Sequence, residues 1–221
     1  MPMHLQEALN TLRQHFLAFS SLVEASVADA IRAIAERDTA LAQRVVERDD
    51  LIDRTEVEIE EECLKILVLH QPVAGDMRLV VGVLKINSDL ERIGDKAVNI
   101  AERVAILARQ PEHDMPIHLQ EMSGKARAML KKVLDALTTM DPALAQEVCA
   151  ADAEIDRIHR ENYARIREAI LHHPEQVATL MHFVLISRNL ERIGDHATNI
   201  AEDILYILTG EIVRHRHSAD Q

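Results

Sequence analysis

The residues best suited to chemistry in this chain are carboxylates, and they occur twice in the same frame. "LERIGDKAVNIAE" spans 90–102 and "LERIGDHATNIAE" spans 190–202, with eleven of the thirteen positions identical. In each copy a glutamate and an aspartate stand four residues apart, as Glu91/Asp95 and Glu191/Asp195. On an α-helix that spacing puts two side chains on one face, where they offer two oxygen ligands to a hard or borderline cation. Like charges so placed repel by roughly 0.2–0.5 kcal/mol, and a cation relieves that repulsion. A solvated helix face with Arg92 or Arg192 as counterion is the plainer reading of one copy. Two copies that keep the glutamate, glycine, aspartate, asparagine and second glutamate bring a ligand role level with that reading, because solvation alone does not require residue identity.

A helical wheel sets the expected direction of these side chains. With Glu191 at zero and about 100° per residue, Asp195 falls near ~40°, Asn199 near ~80° and Glu202 near ~20°. Ile186, Leu190, Ile193, Ala197, Ile200, Ile204 and Leu208 gather at roughly 180–260° on the same wheel. Glu91, Asp95, Asn99 and Glu102 form the same stripe opposite Ile86, Leu90, Ile93, Ala97, Ile100 and Val104. The carboxylates are therefore expected to face solvent. Gly94 and Gly194 lie between the two stripes, each at a cost of about 1 kcal/mol against alanine. Close approach of a neighbouring helix explains them better than space for a ligand.

Composition and punctuation define the elements that position these motifs. The 221 residues are 48% hydrophobic but only 2% aromatic, with six glycines and six prolines. A core of Leu, Ile, Val and Ala with so little turn chemistry suits packed helices, not many short strands. No proline interrupts a periodic apolar pattern. Six long helices are predicted over about 3–36, 39–69, 76–109, 116–139, 142–172 and 175–209. Thr39 is the expected N-cap of the second helix. Asp141 is expected to cap the fifth, with Pro142 at its first position.

The repeat extends beyond the acidic motif. "DDLIDR" (49–54) matches "DAEIDR" (152–157), and "LHQP" (69–72) matches "LHHP" (171–174). The predicted architecture is all-α: two tandem, pseudo-symmetric antiparallel three-helix bundles, over residues 1–111 and 112–221, divided at "QPEHDMP". An antiparallel hairpin of the second and third helices brings Asp53 level with Ile93 and Glu56 level with Leu90. In the second half Asp156 comes level with Leu190, while His159 and Tyr163 stand where Glu56 and Glu60 stand in the first. The candidate metal ligands are therefore Glu91, Asp95, Asp53 and Glu56 in one half and Glu191, Asp195 and Asp156 in the other. The first set, richer in carboxylates, is expected to be the stronger.

Other features narrow the function classes. A net charge of −12 argues against nucleic acid or an anionic membrane as the main partner. No apolar run approaches the ~18 residues of a membrane span, so no membrane insertion is expected. The N-terminus lacks the basic and apolar regions of a signal peptide, and Cys63 and Cys149 form no CxxC motif. A reduced, cytoplasmic protein is expected. Twelve histidines form neither HExxH nor the Glu-x-x-His of di-iron bundles. His182 is expected to be a satisfied core histidine and His196 an exposed side chain. No GxxxxGKS, GxSxG or nucleophile–base arrangement occurs, so no catalytic centre is expected.

Along nearly its whole length the chain resembles the PhoU family of phosphate-signalling regulators. The resemblance rests on "VERDDLIDRTEVEIEEECLKIL" (46–67), "QPVAGDMRLVVGVLKINSDLERIGDKAVNIAE" (71–102) and "LERIGDHATNIAE" (190–202), with the twice-repeated Glu/Asp-x-x-x-Asp signature at Glu91–Asp95 and Glu191–Asp195. It implies two similar three-helix bundles that associate as a homodimer. It also implies a cytoplasmic negative regulator of the phosphate regulon. Such a protein links the ATPase subunit of the phosphate ABC transporter to the phosphate-sensing membrane histidine kinase. Members with iron, zinc, manganese or magnesium on the acidic motifs imply metal ions here. The alternative, from another class, is a metal-storage or metal-dependent hydrolytic bundle built on the same carboxylates. Direct phosphate binding is not expected, since no basic cluster or helix-end nest stands out.

Overall fold

Apolar residues recurring every three to four positions fold as six α-helices in the computed structural model, which describes residues 3–110 and 117–211. The helices are α1 (Met3–Glu36), α2 (Thr39–His70), α3 (Ala74–Leu107), α4 (Leu119–Thr139), α5 (Pro142–His172) and α6 (Val177–Thr209). A single 3₁₀ turn, Pro174–Gln176, leads into α6, and no strand occurs among the described residues. The all-α class and the six helices agree with the reading of the sequence. The expected division between residues 111 and 112 lies outside the described residues.

Helices α1, α2 and α3 pack on one another, as do α4, α5 and α6, giving two three-helix bundles. The bundles are not independent, because α3 and α6 also pack against each other along their lengths. They run antiparallel: Lys85 reaches Asp203, Asp89 reaches Asn199, and Gln110 reaches Thr179. The seam gives α3 and α6 a further packed side, so each is central in its bundle. Val80, Ile86, Leu90, Ile93, Ala97 and Ile100 are buried on α3, and Ile186, Leu190, Ile193, Ala197, Ile200 and Ile204 on α6. Among the described residues, no helix is long and apolar enough to cross a membrane.

Glycines mark where the helices come closest. A Cβ on Gly94 would stand 3.2 Å from the Ile52 side chain, and one on Gly194 only 3.0 Å from Ile155. Both therefore serve helix packing, α3 on α2 and α6 on α5. Gly82 does the same at the seam, where an added Cβ would overlap Ile207. The Gly94–Ile52 contact and a 2.8 Å hydrogen bond from the Asn87 amide to the Glu56 carbonyl fix the register of the α2–α3 hairpin. That register sets the heights of Asp53 and Glu56 beside the first acidic motif.

The caps agree with expectation at one site and differ at another. Asp141 accepts a 2.8 Å hydrogen bond from the Ala143 amide, and Pro142 opens α5. At α2 the cap is Asp38, not Thr39; its carboxylate accepts from the Leu41 amide at 2.9 Å. The aspartate lies outside the helix, where its extended backbone turns the carboxylate onto the free amides of the first turn. Thr39 is already helical.

Candidate functional site

Each acidic motif sits on a central helix beside the helix that precedes it, and its carboxylates are half-buried. Side-chain exposure is 23% for Glu91 and 34% for Asp95, and 20% for Glu191 and 31% for Asp195. The wheel placed these groups toward open solvent. Neighbouring helices correct that, because α3 is flanked by α1, α2 and α6, and α6 by α3, α4 and α5. The acidic stripes consequently line the grooves toward α2 and α5. Burial there raises the pKa of Glu91, Glu191 and Asp195 above the ordinary carboxylate values. Neighbouring carboxylates push the same way: Asp95 on Glu91, Asp156 on Glu191, and Glu191 on Asp195.

In the second half three carboxylates converge. Asp156 on α5 and Glu191 and Asp195 on α6 each present one oxygen, and the three oxygens lie within 4.8 Å of one another. All three residues are partly buried. Three hard oxygen donors at this separation suit a divalent or trivalent cation such as magnesium, manganese or iron, with water completing the shell. Arg192 holds the charge in check, 2.9 Å from Asp195 and 3.6 Å from Glu191. A bound cation would take over that neutralising role.

The first half has the same residue types but does not bring them together in that way. Glu91 and Asp95 on α3 lie near Asp53 and Glu56 on α2, and each of the other three raises the Glu91 pKa. Burial, then Glu60 and Asp53, raises that of Glu56. Asp53 itself is exposed, and among the described residues no three oxygens of this set approach as closely as the triad of the second half. The expected ranking of the two halves is therefore reversed in geometry. One reason is a residue that differs between the copies. Lys96 adds a second cation 3.9 Å from Asp95, beside Arg92 at 3.7 Å. Its counterpart His196 turns away from Asp195 to meet Asp89 at 2.8 Å.

The histidines depart from expectation. His196 is half-buried at the seam, not exposed, with its Nδ1 on the Asp89 carboxylate. His159 turns from the acidic cluster to Ser187, 2.9 Å away, beside the fully buried Asn162. Burial lowers the His159 pKa against the pull of Asp156, so the neutral ring is favoured in this polar cluster. His182 is half-buried, and its enclosed Nδ1 has no hydrogen-bond partner. Burial, then Arg103, lowers its pKa.

Asp49 and Asp152 are functional candidates that the sequence reading passed over. Asp49 lies one helical turn before Asp53, and its pKa is pushed up to about 6 by burial, then by Asp53 and Asp95. One of its oxygens is enclosed without a partner. Asp152 lies one turn before Asp156 and accepts a 3.1 Å hydrogen bond from Thr198. The signal was present: "DDLIDR" and "DAEIDR" share aspartate at their first as well as their fifth position.

Comparison with known proteins gives one consistent result. The PhoU domain family matches twice, at residues 16–104 and 119–204. The phosphate-specific transport system accessory protein PhoU homolog of Pseudomonas aeruginosa is 37% identical over 208 residues, covering 94% of this chain and 86% of that protein. Its Caulobacter vibrioides counterpart is 39% identical over 206 residues, covering 93% and 90%. The crystal structure of PhoU from Pseudomonas aeruginosa superposes with a TM-score of 0.91 at 36% identity, over 93% of this chain and 99% of that one. That of the phosphate transport system regulatory protein PhoU from Streptococcus pneumoniae gives 0.83 at 29% identity, over 95% and 99%.

Proposed function

The chain belongs to the PhoU family, and from that premise we propose that it is a cytoplasmic negative regulator of phosphate uptake and of the phosphate regulon. It works as a non-catalytic adaptor. One surface engages the ATPase subunit of the phosphate ABC transporter and another the phosphate-sensing membrane histidine kinase, with the chain acting as a homodimer. The observation that carries this reading is the full-length likeness, through both PhoU domains, to proteins named as accessory or regulatory components of phosphate transport. The net charge of −12 also favours protein partners over nucleic acid.

Metal ions belong to this reading as surface ligands. Asp156, Glu191 and Asp195 would hold a cation in the second half, and Glu91 and Asp95, with Asp53 or Glu56, a weaker one in the first. The fit rests on three converging, half-buried oxygens whose mutual repulsion an ion would relieve. Such an ion would add positive charge to an acidic groove and change what a partner surface meets there.

The test is complex formation. The purified chain, mixed with the transporter ATPase subunit, is expected to co-elute with it in size-exclusion chromatography with light scattering. The kinase's cytoplasmic region is expected to compete or to join. No complex with either partner, with or without manganese or magnesium, would reject the adaptor role. Phosphatase activity, or oxidation of bound iron, that is lost in Asp95→Ala/Asp195→Ala would favour the metal-storage or hydrolytic alternative.

A further inference from the structure

On one side of the α3–α6 seam lies a cleft of about 300 Å³. Helix α3 lines it with Lys96, Asn99 and Arg103, and α6 lines it with Arg188, Asn189 and Arg192. Four cations and two amides surround the space, and no carboxylate lines it. We propose that this cleft binds a small phosphate-type oxyanion.

The internal repeat supplies the strongest argument, because it offers a built-in comparison. The pseudo-equivalent surface, farther along the same antiparallel seam, is made from residues one hundred positions away. There Asp89 stands in place of Asn189 and Asp203 in place of Arg103. The chain neutralises that surface itself. Asp89 accepts from His196 at 2.8 Å and from Asn199 at 3.2 Å, and the buried Asp203 meets Lys85 at 3.3 Å. On the cleft side both internal anions are missing, and one has become an arginine. A protein with twelve more acidic than basic groups has here gathered cations without giving them an anion between.

The cations are only partly satisfied from outside the cleft. Lys96 lies 3.9 Å from Asp95, Arg192 lies 2.9 Å from Asp195, and Arg103 lies 3.3 Å from Glu102. These carboxylates are sequence neighbours and do not line the cleft. Arg188 forms no ion pair among the described residues. Arg103 also carries an enclosed Nε–H with no acceptor, although its side chain is 25% exposed. Asn99 and Asn189 each give one amide N–H to a carbonyl of their own helix, at 2.8 Å, and keep a second. Guanidinium forks and amides arranged around one space match the several oxygens of a phosphate group. No basic cluster shows in the sequence because these six residues come from two helices about ninety positions apart.

Inorganic phosphate is the probe. Titrated into the full chain at low ionic strength by calorimetry, it is expected to bind one saturable site per chain, with sulfate as a competitor. Asn189→Asp installs the residue that the pseudo-equivalent surface carries at Asp89. It is expected to weaken binding tenfold or more, and Arg188→Gln likewise, whereas Arg44→Gln, on the exposed side of α2, leaves affinity within about twofold. No saturable binding up to about 10 mM phosphate, or binding indifferent to Asn189→Asp and Arg188→Gln, overturns the proposal. The site stands on seam geometry alone, and only its role as a phosphate signal rests on the proposed function. Phosphate binding without regulation in the cell, or regulation without binding, tells the two failures apart.

Discussion

Replacing Asp49 by asparagine should make this protein more stable at neutral pH, which is unusual for a partly buried polar residue. Asp49 is surrounded by Asp53, Asp95, Asp50 and Glu102, and burial with those charges moves its pKa from an ordinary 3.8 to about 6. The folded state therefore binds this proton more tightly than the unfolded chain. The associated stability is fully present below about pH 4, and is lost as pH rises through about 6. A pKa moved from 3.8 to about 6 corresponds to at most ~3 kcal/mol above pH 7. The side chain is partly exposed, and screening reduces that ceiling to about 1 kcal/mol. An asparagine side chain keeps the shape and removes the charge. Urea unfolding in EDTA is expected to show the Asp49→Asn variant about 1 kcal/mol more stable at pH 7.5, with a Tm higher by ~2–4 °C. The gain should vanish near pH 4. A variant that is no more stable at pH 7.5, or whose gain is equal at both pH values, would refute this electrostatic account of the acidic groove.

Asp156→Asn removes one of three converging oxygens and should weaken manganese binding at least tenfold in equilibrium dialysis, by roughly 1.4 kcal/mol or more. Asp53→Asn should change it less, and equal effects would contradict the ranking of the two halves. His196→Lys, which copies the first motif into the second, should also weaken the metal by bringing a cation toward Asp195. Gly194→Ala should lower the Tm more than Gly94→Ala in a thermal scan. Its Cβ meets Ile155 at 3.0 Å rather than Ile52 at 3.2 Å, and overpacking of about 1–3 kcal/mol outweighs a helix gain of about 1. Ser187→Ala strips a partner from both His159 and buried Asn162, and should cost about 1–3 kcal/mol in urea unfolding.

The helices were legible because each is long, strongly periodic and free of internal proline, and the prolines fall where helices begin or end. The register of α2 on α3 was legible too, since a short turn leaves an antiparallel hairpin little freedom, and Ile52 does meet Gly94. The direction of the carboxylates was less so. A wheel shows which face is apolar, but not that a third neighbour closes part of the opposite face. The seam between α3 and α6 was not legible at all. Its polar partners, Asp89 with His196 and Lys85 with Asp203, are more than one hundred residues apart in sequence. For the same reason His196 was read as exposed, and the basic cleft beside it was missed. Which set of carboxylates converges was not legible from counting acids, because the neighbouring cations Lys96 and Arg92 also shape the first cluster.

The central claim is that the chain restrains phosphate-starvation signalling when phosphate is plentiful. A phosphate-regulon reporter, measured in high phosphate in a strain lacking this gene, tests that claim directly. Constitutive reporter expression is the predicted result, returning to the repressed level when the intact chain is supplied. Normal repression in the deletion strain would contradict it.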